Sequence, residues 1–311
     1  MENENTNNTV WNEPFFMFRK VSKCYANSIS FLSDKFLKII KLALPVILLS
    51  SLGMTAIFYV ICDAGLEMAL ASTLGFISLS VLVAFLSLSL DIAFLYRCID
   101  INIEGLNIYS VGYKYVYNKV FIQKFLKVSI VNAIAFLILG MLLLGFYYAD
   151  SLIMPDAESP DAIEQILIKT WLLRLGFCII LVTLLLPLYV SLNKFMFEKN
   201  GGLSNLWYGY KLGWKKWGKI FALDLLVTIT ISILIAFTMA PAYVISLMQH
   251  SATLSRLQGD AVEIPTYFPY ITAIILFISS AFMTILTMFK FLPQAYIYAS
   301  FSAHAHSITD K

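Results

Sequence analysis

"LALPVILLSSLGMTAIFYVIC", residues 42–62, runs for 21 residues without a charged side chain. At about 1.5 Å per residue, a helix of that length covers the roughly 30 Å hydrocarbon core of a bilayer. Similar stretches recur, and six spans are predicted at about 42–62, 68–90, 128–149, 175–193, 225–248 and 267–289. Backbone amides facing hydrocarbon have no water to bond, and the alternation of barrel strands is absent, so each span is predicted to be helical. The whole chain agrees: of 311 residues 59% are hydrophobic and 13% charged, with mean hydropathy +0.79, more apolar surface than one soluble core of that length buries. The expected fold class is all-α: an integral membrane protein of six transmembrane helices with amphipathic helices at the cytoplasmic interface.

The N-terminal "MENENTNNTVWNEP" is polar, and the first apolar span begins some forty residues in. That order does not match a cleaved signal peptide, so the first span is expected to stay. Residues 1–14 are read as a disordered tail, 15–303 as one membrane domain and 304–311 as a C-terminal tail. Cys24, Cys62, Cys98 and Cys178 lie in or beside apolar segments and read as small apolar residues rather than a disulfide framework. The "HAH" of His304 and His306 offers too few ligands for a metal, His250 has no partner pattern, and no metal or other cofactor is expected.

Charge sets the orientation. Segments 1–41, 91–127, 194–224 and 290–311 hold 19 of the 22 Lys and Arg, and the intervening loops hold only Lys169, Arg174 and Arg256. Positive charge favours the cytoplasmic side, which predicts both termini there. The other loops carry nine acids, including Asp150, Asp156, Glu158, Asp161 and Glu164. Within them "SPDAIEQ" reads as a helix start, with Ser159 as cap and Pro160 in the first turn. No calcium-loop spacing is present, so this acidic segment reads as a solvated connection.

"WYGYKLGWKKWGK", Trp207 to Lys219, gathers three tryptophans, two tyrosines and four lysines in thirteen residues. At 100° per residue, Trp207, Tyr210, Trp214, Trp217 and Phe221 form one stripe, and Lys211, Lys215, Lys216 and Lys219 spread over the remainder. That is the pattern of a membrane-surface helix: indole rings rest at headgroup level while lysine stems lie on apolar surface with the ammonium in water. Gly209 and Gly213, four apart, suit close approach to a neighbouring helix. The expected partner is anionic lipid, with a partner membrane protein or a second copy as further possibilities and no nucleic acid.

The device recurs. "KFLKI" (Lys35–Ile39), "KFLKV" (Lys124–Val128) and "KWGKI" (Lys216–Ile220) share Lys, aromatic, any residue, Lys, β-branched, at spacings of 89 and 92 residues. Lys35, Lys38, Lys124 and Lys127 therefore join the expected lipid-interface set. The period predicts a threefold repeat of surface helix, span, external turn and span, over about 15–100, 101–199 and 200–303. The even-numbered spans continue apolar beyond their expected cytoplasmic boundary, as in "IAFLYR" after Asp91 and "FLPQAYIYASFSAHA" after Lys290. Tilting, or packing on the surface helices, would shelter the excess.

This layout over about 15–303, together with "GLSNLWYGYKLGWKKWGKIFAL" (Gly202–Leu223), resembles the bacterial membrane proteins grouped with the membrane domain of glycerophosphoryl diester phosphodiesterase and the YciC-like family. The resemblance implies a six-span inner-membrane module. The phosphodiesterase catalytic domain sometimes attached in that family has no counterpart in these residues, and no functional residue carries over.

Intramembrane ionisable residues are costly and are the default functional candidates. Asp91, Lys194, Asp224 and Lys290 all lie near the predicted cytoplasmic ends, where structural ion pairing competes with a role in transport. The chain contains no HExxH, G-x-S-x-G, Walker lysine loop or dinucleotide fingerprint. The leading expectation is thus a non-enzymatic bacterial inner-membrane protein that engages anionic lipid or a partner. The alternative is a transporter or flippase for a lipid-like or small amphipathic substrate, with those four residues at its cytoplasmic mouth. Topology is tested in a cysteine-free background by single cysteines at 150–165 and 200–215: an impermeant maleimide added outside should label the first set and spare the second.

Overall fold

The computed structural model describes residues 15–17, 19–63, 70–153, 160–198, 203–258, 265 and 267–309. Among these, eight helices form and no strand: α1 (Val21–Asp63), α2 (Leu70–Ile103), α3 (Tyr113–Val116), α4 (Lys119–Ile153), α5 (Pro160–Phe197), α6 (Ser204–Lys215), α7 (Trp217–Leu257) and α8 (Phe268–Thr309). Six are long and apolar enough to cross a membrane. Their outer surfaces suit lipid rather than water, with Leu137, Met141 and Leu144 on α4 and Phe237 on α7 all exposed. The chain is an all-α, multi-pass membrane protein.

Helix bounds differ from the expectation in an instructive way. α1 and α4 run unbroken through "KFLKI" and "KFLKV", so the first two lysine motifs sit inside long helices and not on separate surface helices. No glycine or proline interrupts either helix between the motif and the apolar stretch that follows at Leu42 or Val128, and helix propagation across the junction is therefore favourable. Only at the third motif does the chain break, between α6 and α7 at Lys216. α8 continues to Thr309, into the residues read as a tail, and α5 starts at Pro160, where a missing amide costs nothing. Residues 1–14 and the proposed cap Ser159 lie outside the described residues.

The chain divides into two compact units, Met1–Leu126 with Ala222–Lys311, and Lys127–Phe221. In the first, α1 packs on both α2 and α8. Residues 91–99 of α2 and 291–301 of α8 are buried on every side, so protein shelters the apolar continuations after Asp91 and Lys290. Gly53 lets α1 approach α2 closely, since a Cβ there would lie 2.6 Å from Val83 Cγ1. The N-terminal segment is stapled to α8 by a reciprocal pair: the Arg19 amide donates to Ser300 Oγ at 2.8 Å, and Ser300 Oγ donates to the Arg19 carbonyl at 3.1 Å.

The segment from Glu104 to Asn118 lies along α1 through three tyrosine hydroxyls. Tyr109 donates to the carbonyl of Asp34, Tyr113 to that of Lys41 at 2.6 Å and Tyr117 to that of Leu42 at 2.8 Å. The last two choices follow from Pro45 within α1. Proline has no N–H, so the carbonyl four residues back, Lys41, loses its helical donor, and the ring crowds that turn open. Burial pushes the Tyr117 phenol above its ordinary value, with Cys98 and Tyr113 adding to the rise, and the hydroxyl stays protonated as a donor.

In the second unit α5 packs against α6. Tyr113→Phe should lower stability in detergent by about 1 kcal/mol, the usual net value of one hydrogen bond. In a Pro45→Ala background, where alanine restores the donor, the same substitution should cost distinctly less; equal losses in a thermal-unfolding cycle would contradict the assignment.

Candidate functional site

The third motif region is built on glycine. Asn205, Gly209 and Gly213 form the buried face of α6, one turn apart. A Cβ on Gly209 would lie 2.6 Å from Ser191 Cα, and one on Gly213 would lie 2.8 Å from Pro187 Cα. The two backbones therefore touch where any larger residue would separate them, the close approach expected from the four-residue glycine spacing. Pro187 lies within α5, and Tyr210 Oη donates to the carbonyl of Leu184, three residues earlier, at 3.2 Å. Ser191 Oγ returns a bond to the Leu206 carbonyl at 2.9 Å.

With glycine inward, the large side chains face out. Trp207 and Trp214 are 59% and 43% exposed, and they share the outer surface of α6 with Lys211 and Lys215. Lys211 Nζ stands 5.2 Å from the centroid of the Trp207 ring, and Trp207 stacks on Tyr210 with centroids 6.2 Å apart. The five-membered aromatic stripe drawn from the sequence is cut in two. Lys216 leaves helical geometry at φ −115°, ψ 18°, so Trp217 and Phe221 belong to α7 and stack on each other at 5.0 Å. Lys216 is half-buried and Lys219 exposed.

Beside α6, an apolar groove of about 480 Å³ is lined by Val131, Ile134 and Ile138 of α4, Leu188 and Ser191 of α5, and Leu203, Leu206, Trp207 and Tyr210. Hydropathy alone did not point to this groove. Its signal in the sequence is the pair of glycines that seats α6 on α5.

The motif lysines of α1 and α4 are placed differently from the lipid-facing role read from the sequence. Lys124 is buried and pairs with Asp100 at 2.8 Å, and Lys35 Nζ donates to Asn102 Oδ1 at 2.8 Å. Both reach the last turn of α2, where carbonyls without helical partners favour cations. Lys127 Nζ donates to the carbonyl of Phe195 at 2.9 Å, and Lys38 is half-buried. Long-range partners decide these cases, because a lysine side chain serves a distant acceptor as readily as a headgroup. In all three motifs the closing β-branched residue is buried: Ile39, Val128 and Ile220.

A polar cluster that the sequence reading did not assemble surrounds the same turn of α2. The buried Arg97 guanidinium lies 4.9 Å from the Tyr115 ring centroid, contacts Glu104 at 3.4 Å and donates to the Tyr115 carbonyl at 3.4 Å. Tyr115 Oη completes the circuit to Glu104 at 3.0 Å.

The four intramembrane candidates fall into separate settings. Asp91, buried, accepts a bond from Ser50 Oγ at 3.1 Å between α1 and α2. Asp224 accepts one from Gln294 Nε2 at 3.0 Å and interacts electrostatically with Lys290, between α7 and α8. Lys194, in the last turn of α5, pairs at 2.8 Å with Glu198 just past the helix end. These are helix-to-helix and local partners of the kind an ion pair or polar contact in a membrane core requires. Among the described residues no group of three His, Cys, Asp or Glu side chains gathers to hold a metal.

Compared with protein-family models, with curated proteins and with solved structures, the chain matches none.

Gly213→Ala should push α6 off α5 and cost about 1–3 kcal/mol, the usual range for overpacking. Gly218→Ala is the control, because its Cβ would meet nothing within 4 Å and alanine is the better helix former. Backbone hydrogen exchange along 204–215 should accelerate in the first variant and not in the second; equal protection in both would refute the backbone contact.

Proposed function

We propose that this chain is a non-enzymatic protein of the bacterial cytoplasmic membrane whose basic, aromatic surface helix engages anionic lipid, with both termini on the cytoplasmic side. The observation that carries the reading is the outer surface of α6: Trp207 and Trp214 exposed beside Lys211 and Lys215, on a helix whose inner face is fixed to α5 by glycine. Indole rings at headgroup depth and ammonium groups beside them form the combination that anionic leaflets attract, at about 1 kcal/mol per basic residue near the surface. No acid stands between Glu198 and Asp224 to oppose that attraction, and the same interval holds five lysines.

The charge asymmetry of the loops supports the orientation, and the lysine motif that precedes the apolar stretch of α1, α4 and α7 supports both the threefold repeat and the family resemblance as parts of the same proposal. Lys35, Lys124 and Lys127, which have protein partners, serve here to fix the ends of α2, α4 and α5. The lipid-facing role narrows to Trp207, Lys211, Trp214 and Lys215, with Lys219 exposed at the start of α7.

The test is fluorescence of the full chain reconstituted in vesicles, with Trp207 or Trp214 as the sole tryptophan. Brominated lipids carrying the label at headgroup depth should quench both positions, more strongly in phosphatidylglycerol than in phosphatidylcholine. Changing Lys211, Lys215 and Lys219 to Gln should remove the preference for phosphatidylglycerol while leaving quenching in phosphatidylcholine in place. Indifference of both tryptophans to the quencher would sink the reading.

A further inference from the structure

We propose that the groove between α4, α5 and α6 seats one acyl chain of an anionic phospholipid, whose phosphate meets Lys211 at its mouth. The inference rests on the lipid-engaging reading of α6 and adds to it a defined site with a defined occupant. Three observations converge on that occupant.

The first is the lining. At about 480 Å³ the groove is of ligand-pocket size, for which roughly 300–1,000 Å³ is usual, and it is walled by Val131, Ile134, Ile138, Leu188 and Leu206. Its two hydroxyls already donate elsewhere: Ser191 Oγ to the Leu206 carbonyl at 2.9 Å and Tyr210 Oη to the Leu184 carbonyl at 3.2 Å. A polar ligand would find little to bond in that interior. A hydrocarbon chain requires nothing more than close apolar contact, which is what drives association where the surroundings are already hydrocarbon.

The second is direction. From Val131 to Ile138 the lining follows seven residues of α4, about 10 Å along a helix axis. α4 is one of the six helices suited to crossing the membrane, so an occupant lying along it runs parallel to the acyl chains of a leaflet.

The third is charge. Trp207 forms part of the wall, and the Lys211 ammonium stands 5.2 Å from its ring centroid. The cation is thus held beside the groove, in a stretch that contains no carboxylate from residue 199 through residue 223. Greasy wall and adjacent cation match the two ends of an anionic phospholipid. A neutral lipid would use the wall and leave the charge without a counterpart.

The experiment places the full chain in phosphatidylcholine vesicles containing phosphatidylglycerol with a photoreactive diazirine in one acyl chain. After irradiation, adducts are mapped by mass spectrometry. Adducts should concentrate on Ile134, Ile138, Leu188 and Leu206 rather than on Leu137 and Leu144, which are exposed on α4 but do not line the groove. Leu206→Trp, which fills the groove, should abolish them. Lys211→Gln should raise the phosphatidylglycerol needed for half-labelling about fivefold, the effect of one basic residue near the surface, and Lys211→Arg should restore it. Adducts spread evenly over Leu137 and Leu144, labelling unaffected by Leu206→Trp, or cross-links to a second copy of the chain would each overturn the proposal. The two readings separate cleanly: if phosphatidylglycerol still enhances quenching of Trp207 and Trp214 while groove adducts are absent, the groove site is wrong and the surface helix stands. Loss of both overturns both.

Discussion

Inside hydrocarbon, a backbone carbonyl without a donor costs several kcal/mol, and this constraint governs how the helices here are joined. The chain places a proline inside four of its six long helices, at Pro45, Pro187, Pro241 and Pro293. Each removes one amide from the ladder. At Pro45 the debt falls on Lys41, and Tyr113 meets it; Tyr117 takes the next carbonyl, that of Leu42. At Pro187 another tyrosine, Tyr210, bonds the carbonyl three residues before the proline, and the small residues of α6 let it come close enough to do so. At Pro45 a weakness in one helix thereby becomes the address at which a separate segment docks. In the other unit α6 is seated beside Pro187 by its two glycines, whose missing side chains let the backbones meet.

Much of the fold was legible because hydropathy over twenty residues is decided by the solvent and hardly at all by tertiary detail. Leu42–Cys62 has only one good place to be, and the all-α architecture of six long helices follows from such stretches. Helix ends were less legible. "KFLKI" and "KFLKV" look like surface segments when read locally, yet α1 and α4 pass through them unbroken, since no residue there stops a helix. At the third motif the chain does break, and two glycines and Lys216 lie around the break.

The candidate site was legible in outline, less so in the roles of its lysines. Aromatic and basic content marked Trp207–Lys219, and the four-residue glycine spacing marked a contact. α6 turns Gly209 and Gly213 inward and sends Trp207 and Trp214 out, as that spacing implies. When two backbones touch, the absence of a side chain is what packs. The lysines show the opposite limit. Nothing near Lys124 in sequence distinguishes it from Lys211, and only the fold brings Asp100 to within 2.8 Å of the first. The Arg97, Glu104 and Tyr115 circuit was hidden for the same reason, its members being ordinary surface residues until α2 ends beside them.

The reciprocal bonds between Arg19 and Ser300 join residues 281 positions apart. A ribosome working at about 5–20 residues per second needs roughly 15–60 seconds to travel that distance. During that interval α1 and α2 are already in place without α8, the neighbour that covers α1. The Arg19–Ser300 pair cannot form until α8 is made, so this closure waits on synthesis of residues near 300. A nascent chain that stops short of α8 is left with an open seam along α1.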